Sequence, residues 1–569
     1  MRTLTFAFLT LYETVTMKLT MYILAILISP IFLFAQAPDN WFHMDASEGY
    51  NGVSADKAYS ELLSGKTSQT VIVAIIDSGM DADHEDLAEN MWVNQDEIPG
   101  NNIDDDNNGY VDDIHGWNFI GGPKGNVNED TYEVTRLYGK YKYKYENADR
   151  SQLSKADKVE YDNFKIYEAA VGKELSEAKN RLERYNGQKT QLIGGINALE
   201  VAMGDKAITL ENLSSIESTS DDVTMGMNIA ANVLGEEGEI KSYDALRNMI
   251  DAELAGAIEY FQGKLDHAYN IDFNPRTVVG DDYNNSNERY YGNNDVEGPD
   301  ALHGTHVGGI VGAVRNNGVG MNGVADNVRL MSIRTVPNGD ERDKDVANAI
   351  RYAVDNGASI VNMSFGKGYS WDKKVVDDAM RYAAKNDVLL VHAAGNAAQN
   401  NDISDNFPTD IPEKKKLFGP KIYKNWIEVG ALNFEQGQDL SATFSNYGQS
   451  QVDLFAPGVS IYATTPGDDY QYLQGTSMAA PVVAGVAAMV RSYYPALSAA
   501  QVKDLLMSTT VKKKDAVLIP GQDGKTASFS TLSVSGGIVN AYDAIKAAGA
   551  IKGKRKKKYL SASSYIPKA

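Results

Sequence analysis

Three short stretches of the chain hold residues that together can run nucleophilic catalysis. Asp77 stands in "IIDSGMD", His303 in "HGTHVGGIVGA" and Ser477 in "GTSMAAP". A serine hydroxyl is a poor nucleophile until a base takes its proton, and a neutral imidazole suits that task near pH 7. A carboxylate on the far side of the imidazole fixes its tautomer and stabilises the protonated form. Each residue alone has a plainer reading. Ser477, preceded by Gly475 and followed by apolar residues at helical spacing, reads as a helix N-cap. An Asp that closes an apolar run is a common turn residue. His306, one helical turn past His303, points elsewhere and reads as a packed supporting histidine. Taken together, in the order Asp, His, Ser, the three read as catalysis.

In that order, and on those motifs, the chain resembles the subtilisin-like serine proteases (subtilases) over roughly residues 45–130 and 273–550. The resemblance implies that Ser477 attacks a peptide carbonyl, His303 is the base and Asp77 orients it. It implies that Asn396 in "HAAGN" donates to the oxyanion beside the Ser477 backbone N–H. In subtilisin itself a donor of this kind is worth about 100- to 1,000-fold in turnover. Ser364, Phe365 and Gly366 of "NMSFG" would pair with substrate as an added strand and wall the primary specificity pocket. Phe365 stands where the family usually has Leu, and Gly308 where it usually has Ala. Gly475 has no Cβ, so substrate backbone can come close. The implied partners are protein or peptide substrates. A lipase or esterase is disfavoured, because "GTSMA" lacks the second Gly of G-x-S-x-G and the Ser comes last. The alternative from another class is a catalytically silent subtilase-fold binding scaffold, although no triad member is missing.

Positioning these residues takes a sheet. "TVIVAIIDSG" is a continuous β-branched run that predicts a buried parallel strand ending in Asp77. Similar runs lie near Leu330, before Gly366, before Asn396 and near Val429. Helical patterns such as "DVANAIRYAVDNG" and "VVDDAMRYAAKN" separate them. The alternation predicts an α/β fold with a doubly wound, mostly parallel central sheet and helices on both faces. In such sheets function gathers at the carboxyl ends of strands. A helix is expected over 478–490, with Ser477 at its positive dipole end and Pro481 in its first turn. His303 is expected to start a helix that Gly308, Gly309 and Gly312 allow to pack closely. Residues 54–66 read as a capped amphipathic helix.

Residues 131–270 break this rhythm. They are rich in Lys, Glu and Tyr, show no strand pattern, and carry a 3-4 apolar seam from Tyr161 to Met203 that Gly187, Gly194 and Gly195 weaken. A second helical pattern starts at Tyr243, with Ser242 as its cap. The region reads as an α-helical insertion, a hairpin or small bundle, between the Asp and His motifs. The catalytic body would then be 37–130 plus 271–550. Almost no chain separates the leader described below from that body, too little for the inhibitory prodomain many secreted subtilases carry. The insertion is therefore expected to act as a lid or docking arm beside the cleft.

A second chemistry lies in "GNNIDDDNNGYVDDIHGWNF". Asp104, Asp106, Asn108 and Gly109 fit the D-x-D-x-N-G opening of a calcium loop. Tyr110 would offer its backbone carbonyl. His115 stands where a bidentate Glu would close an EF-hand, so Asp112 or Asp113 must complete the shell. Asp281 and Asp295, shortly before the catalytic His, suggest a second calcium site. Subtilases commonly use calcium to fix loops, so the resemblance supports a structural Ca2+.

Bulk composition narrows the rest. A formal net charge of −22 disfavours nucleic acid as a partner. The absence of cysteine excludes disulfides, thiolate chemistry and cysteine metal sites. Residues 1–36 read as a secretory signal peptide, with Met17 the better start, Lys18 before an apolar run and small residues after it. That run is short and holds Pro30, so no integral membrane span is expected in the mature chain. Export to the periplasm or the extracellular space follows. The tail, 551–569, is strongly basic and reads as solvated.

Overall fold

The computed structural model describes residues 37–413 and 422–556. The expected signal peptide and the end of the basic tail, 557–569, lie outside the described residues.

Strand β1, Val71–Asp77, is buried along its whole length. Continuous apolar character suits a strand covered on both faces. The same sheet holds β2 (Gly116–Asn118), β3 (Val328–Arg334), β4 (Ile360–Met363), β5 (Leu389–Ala393), β6 (Trp426–Leu432), β7 (Leu454–Pro457), β8 (Val511–Lys512) and β9 (Gly537–Ile538). Their spatial order is β8-β9-β7-β6-β5-β4-β1-β3-β2. Every neighbouring pair is parallel except β8 and β9.

Side chains alternate across β1, as strand geometry requires. Val71, Val73 and Ile75 enter one core, with Val307 and Ile310 of helix α5 (Leu302–Gly312) and Val482 and Val486 of helix α8 (Thr476–Tyr493). Ile72, Ala74 and Ile76 enter the other, with Ile350 of helix α6 (Asp343–Asp355) and Met380 of helix α7 (Lys373–Lys385). The expected doubly wound sheet is therefore present. From β1 the chain builds outward to β3 on one side and to β4 and β5 on the other, so the carboxyl end of β1 is a topological switch point.

The stretch between the Asp and His motifs is helical. Helix α1 (Glu133–Tyr145) leads into α2 (Lys155–Met203), whose 49 residues span about 74 Å. Helices α3 (Asp221–Glu237) and α4 (Tyr243–Gly263) pack back along α2. Ser242 caps α4 by accepting from Ala245 N–H at 3.1 Å, as expected. The far end has its own small core of Ile196, Leu199, Met203, Leu213, Ala230 and Leu246. Gly195, which reads in the sequence as a weak point of the seam, is where α2 and α3 touch. A Cβ on Gly226 would lie 2.2 Å from the Gly195 carbonyl oxygen.

Two local expectations need correction. Residues 55–63 are helical, but Ser54 does not cap them: its hydroxyl donates to Asp45 at 3.0 Å. The start of the basic tail is not wholly solvated, because the Arg555 guanidinium lies 3.2 Å from the Asp387 carboxylate. Among the described residues no helix is long and apolar enough to cross a membrane.

Candidate active site

Asp77 closes β1 with its side chain on the face that α5 and α8 cover. A Cβ on Gly304 would sit 2.0 Å from the Gly79 carbonyl oxygen and 3.1 Å from Asp77 Cβ. Only a glycine there lets α5 come close enough for His303 to meet Asp77. His303 Nδ1 lies 2.6 Å from Asp77 Oδ1. Burial pulls the imidazole pKa down, but the charge and hydrogen bond of Asp77 outweigh it and raise it above its ordinary value.

His306 is fully buried, with Nε2 at 3.0 Å from the Ile461 carbonyl and 3.1 Å from that of Gln471. Carbonyls only accept, so Nε2 carries the proton. Burial drives its pKa down to about 4, and the ring stays neutral. It ties α5 to the neighbouring backbone and takes no part in the Asp77 pair.

Ser477 arrives on α8. The helix begins at Thr476, with Gly475 in the N-cap position and no side-chain cap. The Ser477 hydroxyl therefore does not cap the helix, and donates instead to the Ser364 carbonyl at 3.0 Å. No hydrogen bond joins it to His303 in this arrangement. The earlier start also moves Pro481 out of the first turn. Having no N–H, Pro481 leaves the carbonyl four residues back, that of Ser477, without its helical donor. Ser364 Oγ supplies one at 2.8 Å, and Asn362 Nδ2 donates to Ser364 Oγ at 2.9 Å.

Strand register brings the two halves together. Met363 of β4 is the partner of Ile76 of β1, so Ser364 and Asp77 leave the sheet side by side. Adjacent strands lie about 4.8 Å apart. Ser477, held by Ser364, and His303, held by Asp77, thus sit over neighbouring strand ends.

Asn396 follows β5, the next strand out. Its Oδ1 accepts from Thr476 N–H and Thr476 Oγ1, both at 2.9 Å. That anchor leaves the amide Nδ2 as the outward donor. A Cβ on Gly475 would stand 3.2 Å from Asn396 Nδ2 and 3.5 Å from Ser477 N. The space the glycine leaves open is thus flanked by two N–H donors, an arrangement able to hold a developing oxyanion. Phe365 is half-buried, its ring edge-on to His392 at 6.2 Å between centroids. Gly366 is exposed, and among the described residues no hydrogen bond uses its N–H or carbonyl.

The acidic loop is arranged differently from its sequence spacing. Glu97, Asp106 and Asp113 bring carboxylate oxygens within 4.8 Å of one another. Glu97 also accepts the Asp105, Asp106 and Asp112 N–H groups, while Asp104, outside the trio, accepts those of Asn108 and Gly109, and Asp112 accepts those of Asn101 and Asn102. Asn108 Nδ2 reaches both Asp106 and Asp113. Tyr110 is buried by its ring against Trp117 and Phe119, and His115 Nδ1 faces the Trp92 carbonyl. Burial pushes the Asp113 carboxyl up to about 6. Three converging oxygen donors, one of them resisting ionisation, fit a hard divalent cation. Glu97 lies outside the D-x-D-x-N-G pattern, and only its acidic type marks it in the sequence.

The second expected calcium site is not assembled. The Asp281 side chain is buried and pairs with Arg276 and Lys344, each at 2.6 Å, so its charge is already neutralised. Asp295 accepts from Asn126 Nδ2 and from Gly298 N–H. The two carboxylates serve separate local networks.

The family model of the subtilases matches residues 68–531. A thermophilic serine proteinase of Bacillus sp. strain AK1 is 40% identical over 191 residues, which are 33% of this chain and 42% of that protein. Subtilisin DY of Bacillus licheniformis is 37% identical over 217 residues, 38% of this chain and 72% of that protein. The solved structure of a Pseudoalteromonas arctica protease aligns at a TM-score of 0.35 and 28% identity, over 45% of this chain and 78% of its own.

Proposed function

Because the chain belongs to the subtilase family, we propose that it is an exported serine endopeptidase acting through Asp77, His303 and Ser477. The observation that carries this reading is the 2.6 Å Asp77–His303 contact on the strand end next to the one that holds Ser477. As a peptide enters, the Ser477 hydroxyl turns from the Ser364 carbonyl to His303 Nε2. His303 takes the proton while Oγ bonds to the peptide carbonyl carbon. The oxyanion is met by Ser477 N–H and Asn396 Nδ2, at the positive end of α8. His303 then protonates the leaving amine, and water, activated by the same imidazole, releases the acyl group.

Calcium would be held by Glu97, Asp106 and Asp113, with the Asn108 side chain beside them. Bound there, it would supply a structural cross-link for the 97–113 loop and no step of the reaction. The helical insertion would stand beside the cleft as a lid or docking arm.

Labelling with a fluorophosphonate tests the catalytic reading. The native protein is expected to label and Ser477→Ala is not. Absence of label on the native protein favours the silent scaffold, for which the Ser477–Ser364 bond is a resting end state. Label that persists in Ser477→Ala moves the nucleophile elsewhere.

A further inference from the structure

The root of the helical insertion is wired by buried charge into the edge along which substrate would lie. Lys367 directly follows Gly366, and its side chain is fully buried. Its Nζ lies 2.6 Å from Glu133 Oε2, 2.6 Å from the Glu341 carbonyl and 2.8 Å from Asp343 Oδ1. Glu133 is the first residue of α1 and is itself fully buried. Burial pushes its carboxyl up, yet Arg136 and Lys367 outweigh that and hold it at about 2.

Further contacts fix Glu133. Its N–H donates to Asp340 Oδ2 at 2.8 Å, and Arg136 Nη2 reaches its Oε2 at 2.9 Å. Just before it, Asp130 takes a two-pronged contact from Arg342 at 2.7 and 2.8 Å. The insertion also grips the residues after Lys367. Tyr167 of α2 meets Tyr369 edge-on at 5.6 Å between centroids, and Lys140 of α1 lies 3.9 Å over the Trp371 ring.

The consequence follows from strand geometry. Ser477 Oγ contacts the Ser364 carbonyl, so the scissile bond would lie beside Ser364. An added antiparallel strand places the third substrate residue, counted back from that bond, opposite Gly366, whose N–H and carbonyl are unused. Gly366 is followed directly by Lys367, whose backbone pairs with Phe407 and whose buried side chain ends on Glu133, Glu341 and Asp343.

We propose that Glu133 is a positioning residue for substrate: through Lys367 it holds the Ser364–Gly366 edge at the pitch that an added peptide strand requires. The insertion thereby tunes recognition of residues upstream of the cleaved bond while leaving the triad alone. This rests on the endopeptidase reading above.

The test uses the full chain with Glu133→Gln and with the double variant Glu133→Leu, Lys367→Met. The second removes one buried charge of each sign, leaves Asp343 to its Ser370 and Asp372 donors, and supplies folded protein if the first does not. Substrates are an amino-acid ester that fills only the residue at the scissile bond and peptide anilides one to three residues long. In both variants the KM of the three-residue anilide is expected to rise on the order of tenfold, since an edge that no longer fits forfeits backbone hydrogen bonds. Ester turnover and fluorophosphonate labelling are expected to stay within about twofold. An unchanged three-residue KM in a folded variant overturns the proposal, as does an equal loss on ester and peptide. Calorimetric affinity for the tripeptide product, measured with Ser477→Ala present throughout, gives the same reading without catalysis. It is expected to fall tenfold without Glu133, and an unchanged affinity overturns the proposal. Failure of the endopeptidase reading shows separately, as a native protein that does not label.

Discussion

Ser364 and Ser477 exchange hydrogen bonds: the Ser364 hydroxyl donates to the Ser477 carbonyl at 2.8 Å, and the Ser477 hydroxyl donates to the Ser364 carbonyl at 3.0 Å. The first bond stands in for the helical donor that Pro481 lacks. The second occupies the Ser477 hydroxyl, which the proposed reaction needs turned to His303. Replacing Ser364 by Ala leaves the Ser477 carbonyl unpaired in a buried setting, at about 1–3 kcal/mol. A lower Tm together with slower fluorophosphonate labelling is expected. An unchanged Tm would mean that another donor takes over the Ser477 carbonyl.

The Asp77–His303 pair predicts the acid limb of the pH–rate profile. His303 must be neutral to accept a proton, and its pKa lies above the ordinary 6.5. Activity should therefore fall as pH drops through a value higher than 6.5. In Asp77→Asn burial remains without the opposing carboxylate, so the limb should move below 6.5 while kcat drops by about 10,000-fold. Stability carries the opposite sign. The pair contributes fully below the unfolded pKa and its contribution is lost as pH rises through the raised folded value. Rate profiles and melting curves of both proteins check this.

Asn396→Ala should lower kcat by about 100- to 1,000-fold with little change in KM, the magnitude known from subtilisin. Gly475→Ala should act in the same direction, because its methyl would sit 3.2 Å from Asn396 Nδ2, in the space the oxyanion needs. Steady-state kinetics on one peptide anilide compares the two. A rise in KM alone for either would place the side chain in ground-state binding instead.

Chelation should lower the melting temperature, and added calcium should restore it. At 100 times the dissociation constant the stabilisation would be about 2.7 kcal/mol. Glu97→Gln should abolish the calcium-dependent shift, and Asp104→Asn should reduce it less, since Asp104 lies outside the converging Glu97, Asp106 and Asp113 trio. Scanning calorimetry with and without chelator reads both. A full response in Glu97→Gln would remove Glu97 from the site.

Local pattern carries the sheet and the element ends on which Asp77, His303 and Ser477 sit, because both rest on short-range chemistry. Continuous β-branched runs mark β1 and its neighbours, and each proposed reacting group sits at the end of such a run or the start of a helix. What stayed hidden depended on partners far along the chain. In the sequence Asp281 reads as a metal ligand, but Lys344, 63 positions away, neutralises it. Glu97 joined Asp106 and Asp113 only through the fold of the loop. Gly195 looked like a flaw until Gly226 arrived opposite it. Helix α8 starts two residues before its apolar spacing marks, and that earlier start creates the tie between Pro481 and Ser364.

The helical excursion leaves and re-enters the body at a single doorway, where Tyr132 N–H donates to the Ala268 carbonyl at 2.9 Å. For the sheet, everything between those two residues is topologically no more than a turn. A shorter or unrelated segment with matched ends could be exchanged there without rethreading the sheet. What hangs on that doorway can thus differ while the sheet beneath it keeps its threading.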